Sequence, residues 1–377
     1  MLPVPADGGS RLTAVLGGAL ASLGGEPNPL GLPRATSSVV VLVDGLGAAN
    51  IRARAGHARF LSARMSKRDV IRTVFPSTTA AAIASLTTGA MPGEHGLVGY
   101  RVLDRDHDRL VNQLNGWDDR MVPEAWQPQP TLFEAAVDRG LPAVAIGAPR
   151  YAESGYTRAV LRGAEYRGAQ TIGARFAEAA RILSDGPALV YLYVPELDQL
   201  AHSHGWESDR WTAKLEELDG ELVAFEQRMP QGTGLLVTAD HGVIDVPSHR
   251  HVYIDARPEL LEGVRHVAGE PRCLGLYFAP AMDVAARQAS LERWREAEGH
   301  RAWVMSADEA IAAGLYGPVA SAARSRIADV LVAARSGIAY YDRREASRQA
   351  EDMIGQHGSM TDDEVRIPLV RAGVYAR

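Results

Sequence analysis

Lysine is nearly missing from this 377-residue chain. Lys67 and Lys214 are its only two, and the other 38 of its 40 basic residues are arginine. Arginine makes fixed, forked contacts with anions, but a GC-rich genome produces the same bias, so the shortage by itself assigns no ligand. Cysteine is scarcer still: the single Cys273 excludes an intramolecular disulfide and fits a reducing compartment. A positive balance is absent too. The net charge of −6 leaves no general electrostatic footprint for nucleic acid or anionic membrane. No apolar run approaches the roughly 20 residues a membrane-spanning helix needs. The opening stretch, MLPVPADGGSRLTAVLGGALASLGGEP, lacks a basic start and has its short apolar patch broken by Gly. It reads as a lead-in and one amphipathic helix, not a signal peptide, and a cytoplasmic location is the default expectation.

What is present is the composition of a packed globular protein, 46% hydrophobic and 23% charged, in a chain long enough for one large α/β domain or two ordinary ones. Short apolar runs alternate with helical periodicity, the pattern of a mostly parallel sheet covered by helices on both faces, a three-layer α/β/α sandwich. The expected core strands are Val39–Val43, Val70–Phe75, Ala143–Ile146, Ala188–Val194 and Gly234–Thr238. Between the last two, Trp211, Leu215, Leu218, Leu222, Phe225 and Met229 recur at helical spacing, as on a helix face packed against the sheet. From about Tyr253 to Tyr341 the texture changes, with strand-like Arg272–Ala279 and Asp329–Ala334 and a helical Asp283–Glu298. This stretch reads as an insertion into the main domain.

Ligands of open α/β sheets gather outside the carboxyl ends of the strands, so the residues just past each apolar run are the natural candidates for chemistry. Asp44-Gly45 comes after the first, and Ser77, Thr78 and Thr79 come after the second. Asp198 and His202 come after the fourth, Asp240-His241-Gly242 after the fifth, and His357 stands in a late Gln-His-Gly segment. Each element alone is weak. Asp44-Gly45 could be only a tight turn, and Asp198 and His202, four apart, could be a surface salt pair. Asp240 could be an exposed turn charge and His357 a solvated imidazole. Together, three aspartates and three histidines supply two mixed ligand sets suited to zinc or a similar divalent ion. Two such ions can clamp the attacking and leaving oxygens of an in-line phosphoryl displacement and activate a Thr hydroxyl, otherwise a feeble nucleophile.

In order, the stretches "VLVDGLG", "VFPSTTAAAIASLTTGAMPGEHGLVG", "VPELDQLAHSHG", "TADHGV" and "GQHGS" resemble the alkaline phosphatase superfamily, and within it the nucleotide pyrophosphatase/phosphodiesterase branch. The resemblance runs from Val39 to about Ser359. It implies one alkaline-phosphatase-like domain over residues 1–377, with 253–341 as an inserted cap-like subdomain whose role, closing over the site or making the contact of a homodimer, the sequence does not assign. It implies that Asp198, His202 and His357 hold one metal and that Asp44, Asp240 and His241 hold the other, zinc first and manganese as the alternative. It makes Thr79 the nucleophile, with Thr78 the rival and Ser77 the helix cap.

Members of this branch carry an Asn just after the "HGLVG"-like stretch, where this chain has Tyr100, so Tyr100 is the substrate-contact candidate and nucleotide preference is in doubt. His249 and His251 are competing ligands, and His204 is expected to be a supporting donor or to face solvent. Trp117, Trp126, Tyr151 and Tyr156 either wall the leaving group or pack a cap. The expected activity is cleavage of phosphodiester or pyrophosphate bonds in a small-molecule substrate through a covalent phospho-Thr. Phosphonoacetate-type hydrolysis, a phosphomonoesterase and a catalytically silent, metal-stabilised binding protein are the alternatives.

Overall fold

Runs rich in Val, Leu and Ile, buried on both faces, can lie only inside a covered sheet, and four of the five expected runs do so here. In the computed structural model of the chain, which describes residues 10–344 and 351–377, a seven-stranded sheet runs in the order Val70–Arg72, Arg366–Gly373, Thr233–Thr238, Ser37–Val43, Leu189–Val194, Ala143–Gly147, Glu165–Gly168. The last five are mutually parallel. Every residue of Ser37–Val43, the central strand, is buried.

Helices Thr13–Gly24, Thr79–Thr88 and Leu132–Asp138 pack together on one face, and Arg59–Arg64, Ile172–Asp185 and Asp209–Arg228 on the other. Phe133 meets Tyr191 edge-on at 6.2 Å, while Phe176 meets Phe225 at 5.2 Å in the second layer. In Asp209–Arg228 the stripe from Trp211 to Phe225 is buried as its spacing predicts, and Met229 ends the helix.

Two edges differ from the sequence reading. The strand expected over Val70–Phe75 stops at Arg72, because the chain then turns toward Val365, whose carbonyl accepts from the Thr73 N–H. Arg366–Gly373 and Glu165–Gly168 are strands that periodicity did not single out. Pro368 and Arg371 interrupt the first, and the second is a mostly exposed edge. Residues 1–9 of the expected lead-in lie outside the described residues, and the helix after it spans Thr13–Gly24.

Residues 264–334 contain a second sheet, antiparallel throughout, in the order Val264–Glu270, Cys273–Phe278, Val330–Ala334, Ala302–Ser306. The helix Val284–Glu298, capped by the Asp283 carboxylate, buries Leu291 and Trp294 against one face of it. The other face meets Phe75, Val98, Val102 and Tyr316. A fully buried pair ties this sheet to the main body: Arg272 donates from Nε and Nη2 to the two oxygens of Glu364 at 2.9 and 2.7 Å. Among the described residues no helix is long and apolar enough to cross a membrane.

Candidate metal centre and nucleophile

Asp44 stands where the central strand ends, and Gly45 follows in the left-handed region with φ +71°. A Cβ on Gly45 would lie 3.0 Å from the Asp198 side chain, so glycine lets two aspartates from neighbouring strands approach. Asp240 follows the adjacent strand. Its Oδ1 accepts from the Gly45 and His241 N–H groups at 3.1 and 3.0 Å. Asp198 opens the helix Glu196–His204, and one turn on, His202 Nε2 lies 3.0 Å from Asp198 Oδ2. That pair is no surface salt bridge, because Asp198 is only 7% exposed.

The three histidines share one device. Nδ1 of His202, His241 and His357 lies 2.7, 3.2 and 3.0 Å from the backbone oxygens of Gly355, Gly242 and Ser77 respectively. Donation from Nδ1 to a carbonyl fixes each tautomer and turns the Nε2 lone pair inward. His241 and His357 stack at 3.6 Å between ring centroids. His241 Nε2 lies 3.5 Å from Asp44 Oδ1 and 3.4 Å from Asp240 Oδ2.

Electrostatics point to cations. Burial, then the charges of Asp240 and Asp198, push the Asp44 carboxyl well above the usual carboxylate range. Burial also works against ionised Asp198, yet the imidazoles of His202 and His357 hold it below that range. Burial and the facing His241 ring hold His357 well below the usual imidazole value. Asp44 Oδ1, Asp198 Oδ1 and Asp240 Oδ2 are buried without a hydrogen-bond donor among the described residues. No Lys or Arg of the described residues pairs with these three aspartates. Buried lone pairs of this kind, interleaved with imidazole Nε2 atoms, fit divalent metal ions. Two triads place their donor atoms within 4.8 Å of one another, Asp198–His202–His357 and Asp44–Asp198–His241. Asp198 belongs to both, and Asp240 flanks the second.

Thr79 is the first residue of the helix Thr79–Thr88, and its Oγ1 lies 3.2 Å from His241 Nε2. The free N–H groups of that helix end favour an anion beside it. Thr78, the rival hydroxyl, is buried beside Glu270 instead. Ser77 is not the cap expected of it. Thr78 holds the cap position, because the Ser77 hydroxyl is engaged elsewhere, donating to Ser359 O and accepting from the Gly358 N–H.

Other candidates lie apart. Tyr100 is half-buried, its carbonyl accepting from the Gln113 N–H, and no hydrogen bond or ring contact among the described residues joins its side chain to the cluster. His249 is exposed, and His251 lies against Tyr341; neither belongs to a metal-holding group among the described residues. His204 faces solvent beside Ser203 and Arg210. Of the aromatics, Trp117 and Trp126 meet edge-on, and Tyr156 is buried under the helix Thr79–Thr88, donating to Thr79 O and Ala80 O. Tyr151 rests on Tyr193.

Two residues escaped sequence reading. Tyr193, inside a core strand, donates its phenol hydrogen to Asp44 Oδ2. Glu270, at the end of the first strand of the second sheet, brings Oε2 within 3.5 Å of His357 Nδ1. Gly358, at φ +121°, makes room for it, since a Cβ there would sit 2.5 Å from the Glu270 carboxyl carbon.

The fold matches known structures at low identity. Human ectonucleotide pyrophosphatase/phosphodiesterase 5 superposes with a TM-score of 0.68 at 15% identity, covering 89% of this chain and 88% of that one. Phosphonoacetate hydrolase from Sinorhizobium meliloti 1021, in complex with phosphonoacetate, gives 0.69 at 18%, covering 90% and 91%. An inactive variant of murine ectonucleotide pyrophosphatase/phosphodiesterase 5, in complex with AMP, gives 0.64 at 14%, covering 90% and 88%. No curated relative matches the sequence. The family model for type I phosphodiesterase/nucleotide pyrophosphatase matches residues 38–360, a span that holds every Asp, His and Thr of the cluster, and the chain belongs to that family.

Proposed function

We propose that this protein is a metal-dependent hydrolase that cleaves phosphodiester or pyrophosphate bonds through a covalent phospho-Thr79 intermediate. One observation carries the reading: a single threonine hydroxyl, at a helix N-terminus, sits 3.2 Å from His241 Nε2 within a nest of buried aspartates. Asp44, Asp240 and His241 would hold one divalent ion beside Thr79, and Asp198, His202 and His357 a second. The mixed oxygen and imidazole set suits zinc best, with manganese the alternative. Bound there, such ions supply charge stabilisation for the attacking and leaving oxygens.

The chain's own residues do the rest. Thr79 Oγ gives up its proton and forms a bond to phosphorus in line with the bond that breaks to the leaving oxygen, which takes up a proton from solvent. The N–H groups at the start of Thr79–Thr88 orient the phosphoryl oxygens. Water then attacks phosphorus from the vacated side, and the bond to Thr79 breaks. The second sheet, within the 253–341 segment, serves as a cap whose Glu270 approaches the site. Likeness to a phosphonoacetate hydrolase supports a second reading, phosphonate cleavage by the same threonine.

A three-substrate comparison tests this. Bis-p-nitrophenyl phosphate, p-nitrophenyl phosphate and phosphonoacetate are offered with chelator, without it, and after return of zinc or manganese. The diester is expected to turn over fastest, to stop with chelator and to recover with metal. Preference for phosphonoacetate would replace the diester reading, and preference for the monoester would make this a phosphomonoesterase. Flat traces on all three would make the protein a catalytically silent binder.

A further inference from the structure

Outside the Asp/His cluster, a groove of about 480 Å³ opens at the margin of the main sheet, lined by Arg52, Lys67, Val70, Ile71, Arg72 and Arg366. Four of its six lining residues are cationic, on a chain of net charge −6 that has only two lysines. One carboxylate serves them: Asp362 lies 3.5 Å from Arg72 and 3.4 Å from Arg366 and is itself largely exposed. Arg52 and Lys67 make no ion pair with any described residue. The next carboxylate along, Asp69, is taken by Ser66 and Arg377. Burial pulls the Arg72 guanidinium below its usual pKa, Asp362 opposes that, and the charges of Arg366 and Arg11 add to it.

The groove is concave and sits at a defined place in the fold. Arg72 pairs with Arg366, and three residues further along that strand Leu369 pairs with Thr238, which ends the parallel strand preceding Asp240. It therefore lies on the same end of the sheet as the cluster, one strand outward, and shares none of the cluster's residues. A volume of this size suits a small molecule, where a flat polymer or membrane surface would need none. Three forked guanidiniums and one ammonium, left with a single exposed counter-charge, match a ligand carrying several phosphoryl groups.

We propose that this groove is a second anion site, binding a small oligophosphate such as an inorganic tripolyphosphate or the polyphosphate tail of a nucleotide. The site is independent of turnover, so its test does not depend on the phosphoryl-transfer reading. The full chain, held in EDTA so that the Asp/His cluster cannot bind anions through metal, is titrated calorimetrically with sodium tripolyphosphate and separately with orthophosphate. The expected result is one tripolyphosphate site, with orthophosphate at least about tenfold weaker. Losing one charge-assisted contact should weaken binding about tenfold in Arg52→Ala and in Lys67→Ala, and Thr79→Ala should bind as wild type does. Both groove residues are exposed, so thermal unfolding of the variants is expected to match wild type. Absence of binding to wild type, equal affinity for the two anions, or affinity unchanged in both groove variants would overturn the proposal. A bound tripolyphosphate lost in Thr79→Ala would place the anion at the cluster and overturn it equally.

Discussion

The Tyr193 phenol donates to Asp44 Oδ2, while Asp44 Oδ1 faces His241 Nε2 at 3.5 Å. One oxygen of the carboxylate is thereby anchored by a core strand, and the other is aimed into the cluster. Groups that orient a ligand in this way commonly govern affinity by about 10–100-fold. Tyr193→Phe is expected to lower metal affinity or turnover by about that factor with the fold intact, measured by metal titration alongside kcat. Unchanged affinity and unchanged rate would show the phenol to be mere packing.

Asp44 also predicts a reversal. Burial and the neighbouring Asp240 and Asp198 charges disfavour its ionised form, so without a cation an amide is the better occupant. Chelated Asp44→Asn is expected to be more stable than chelated wild type. With metal present the ranking should invert, because the variant binds the ion less well. Calorimetric unfolding with and without chelator reads both halves.

His95 gives a pH dependence away from the metal residues. It is fully buried, its Nε2 2.8 Å from Ser85 Oγ and its Nδ1 accepting from the Leu97 N–H. Burial lowers its pKa to about 3, against partial relief from backbone contacts. The unfolded chain takes up that proton near pH 6.5 and the folded one only near 3. The stabilisation is therefore whole above about pH 6.5 and is lost as pH falls toward 3, at about 1.4 kcal/mol per pH unit. Denaturant titrations across this range should show a shallower decline for His95→Gln than for wild type.

Asp44, Asp198, His202, Asp240 and His241 were legible because they follow apolar runs, where a covered parallel sheet must expose its strand ends, whereas His357 stood out only through its Gln-His-Gly segment. The same logic marked the run of hydroxyls Ser77, Thr78 and Thr79, but only the family resemblance singled out Thr79 among them. Tyr193 was not legible, since a tyrosine inside a buried strand looks the same whether its hydroxyl points to solvent or to a carboxylate. Glu270 was hidden because it comes from another sheet, and only tertiary packing brings it to His357. Ser77 misled for a local reason: a hydroxyl before a helix is usually a cap, and here it is consumed by the Gly358–Ser359 backbone. The strand Arg366–Gly373 was obscured by Pro368 and Arg371, a residue that lacks the ladder donor and a charge inside a buried strand.

The Arg272–Glu364 pair joins the second sheet to the segment that carries His357, since Glu364 also accepts from the Ser359 N–H at 2.9 Å. Removing one member leaves a buried charge unpaired, at a cost of about 3–5 kcal/mol. Arg272→Ala is expected to lose stability on that scale and to weaken metal binding as well. Arg272→Met with Glu364→Gln should recover much of the stability. Equal metal affinity in Arg272→Ala and wild type would show that the pair does not position His357.

The most direct measurement is acid-quenching the metal-loaded protein during turnover of a phosphodiester and mapping any phosphoryl group by peptide mass spectrometry. Phosphate on Thr79, absent from chelated protein and from a Thr79→Ala variant that retains its metal and no longer turns over, is the predicted result. Turnover that proceeds undiminished in Thr79→Ala, or a phosphoryl group trapped on any other residue, would contradict the account.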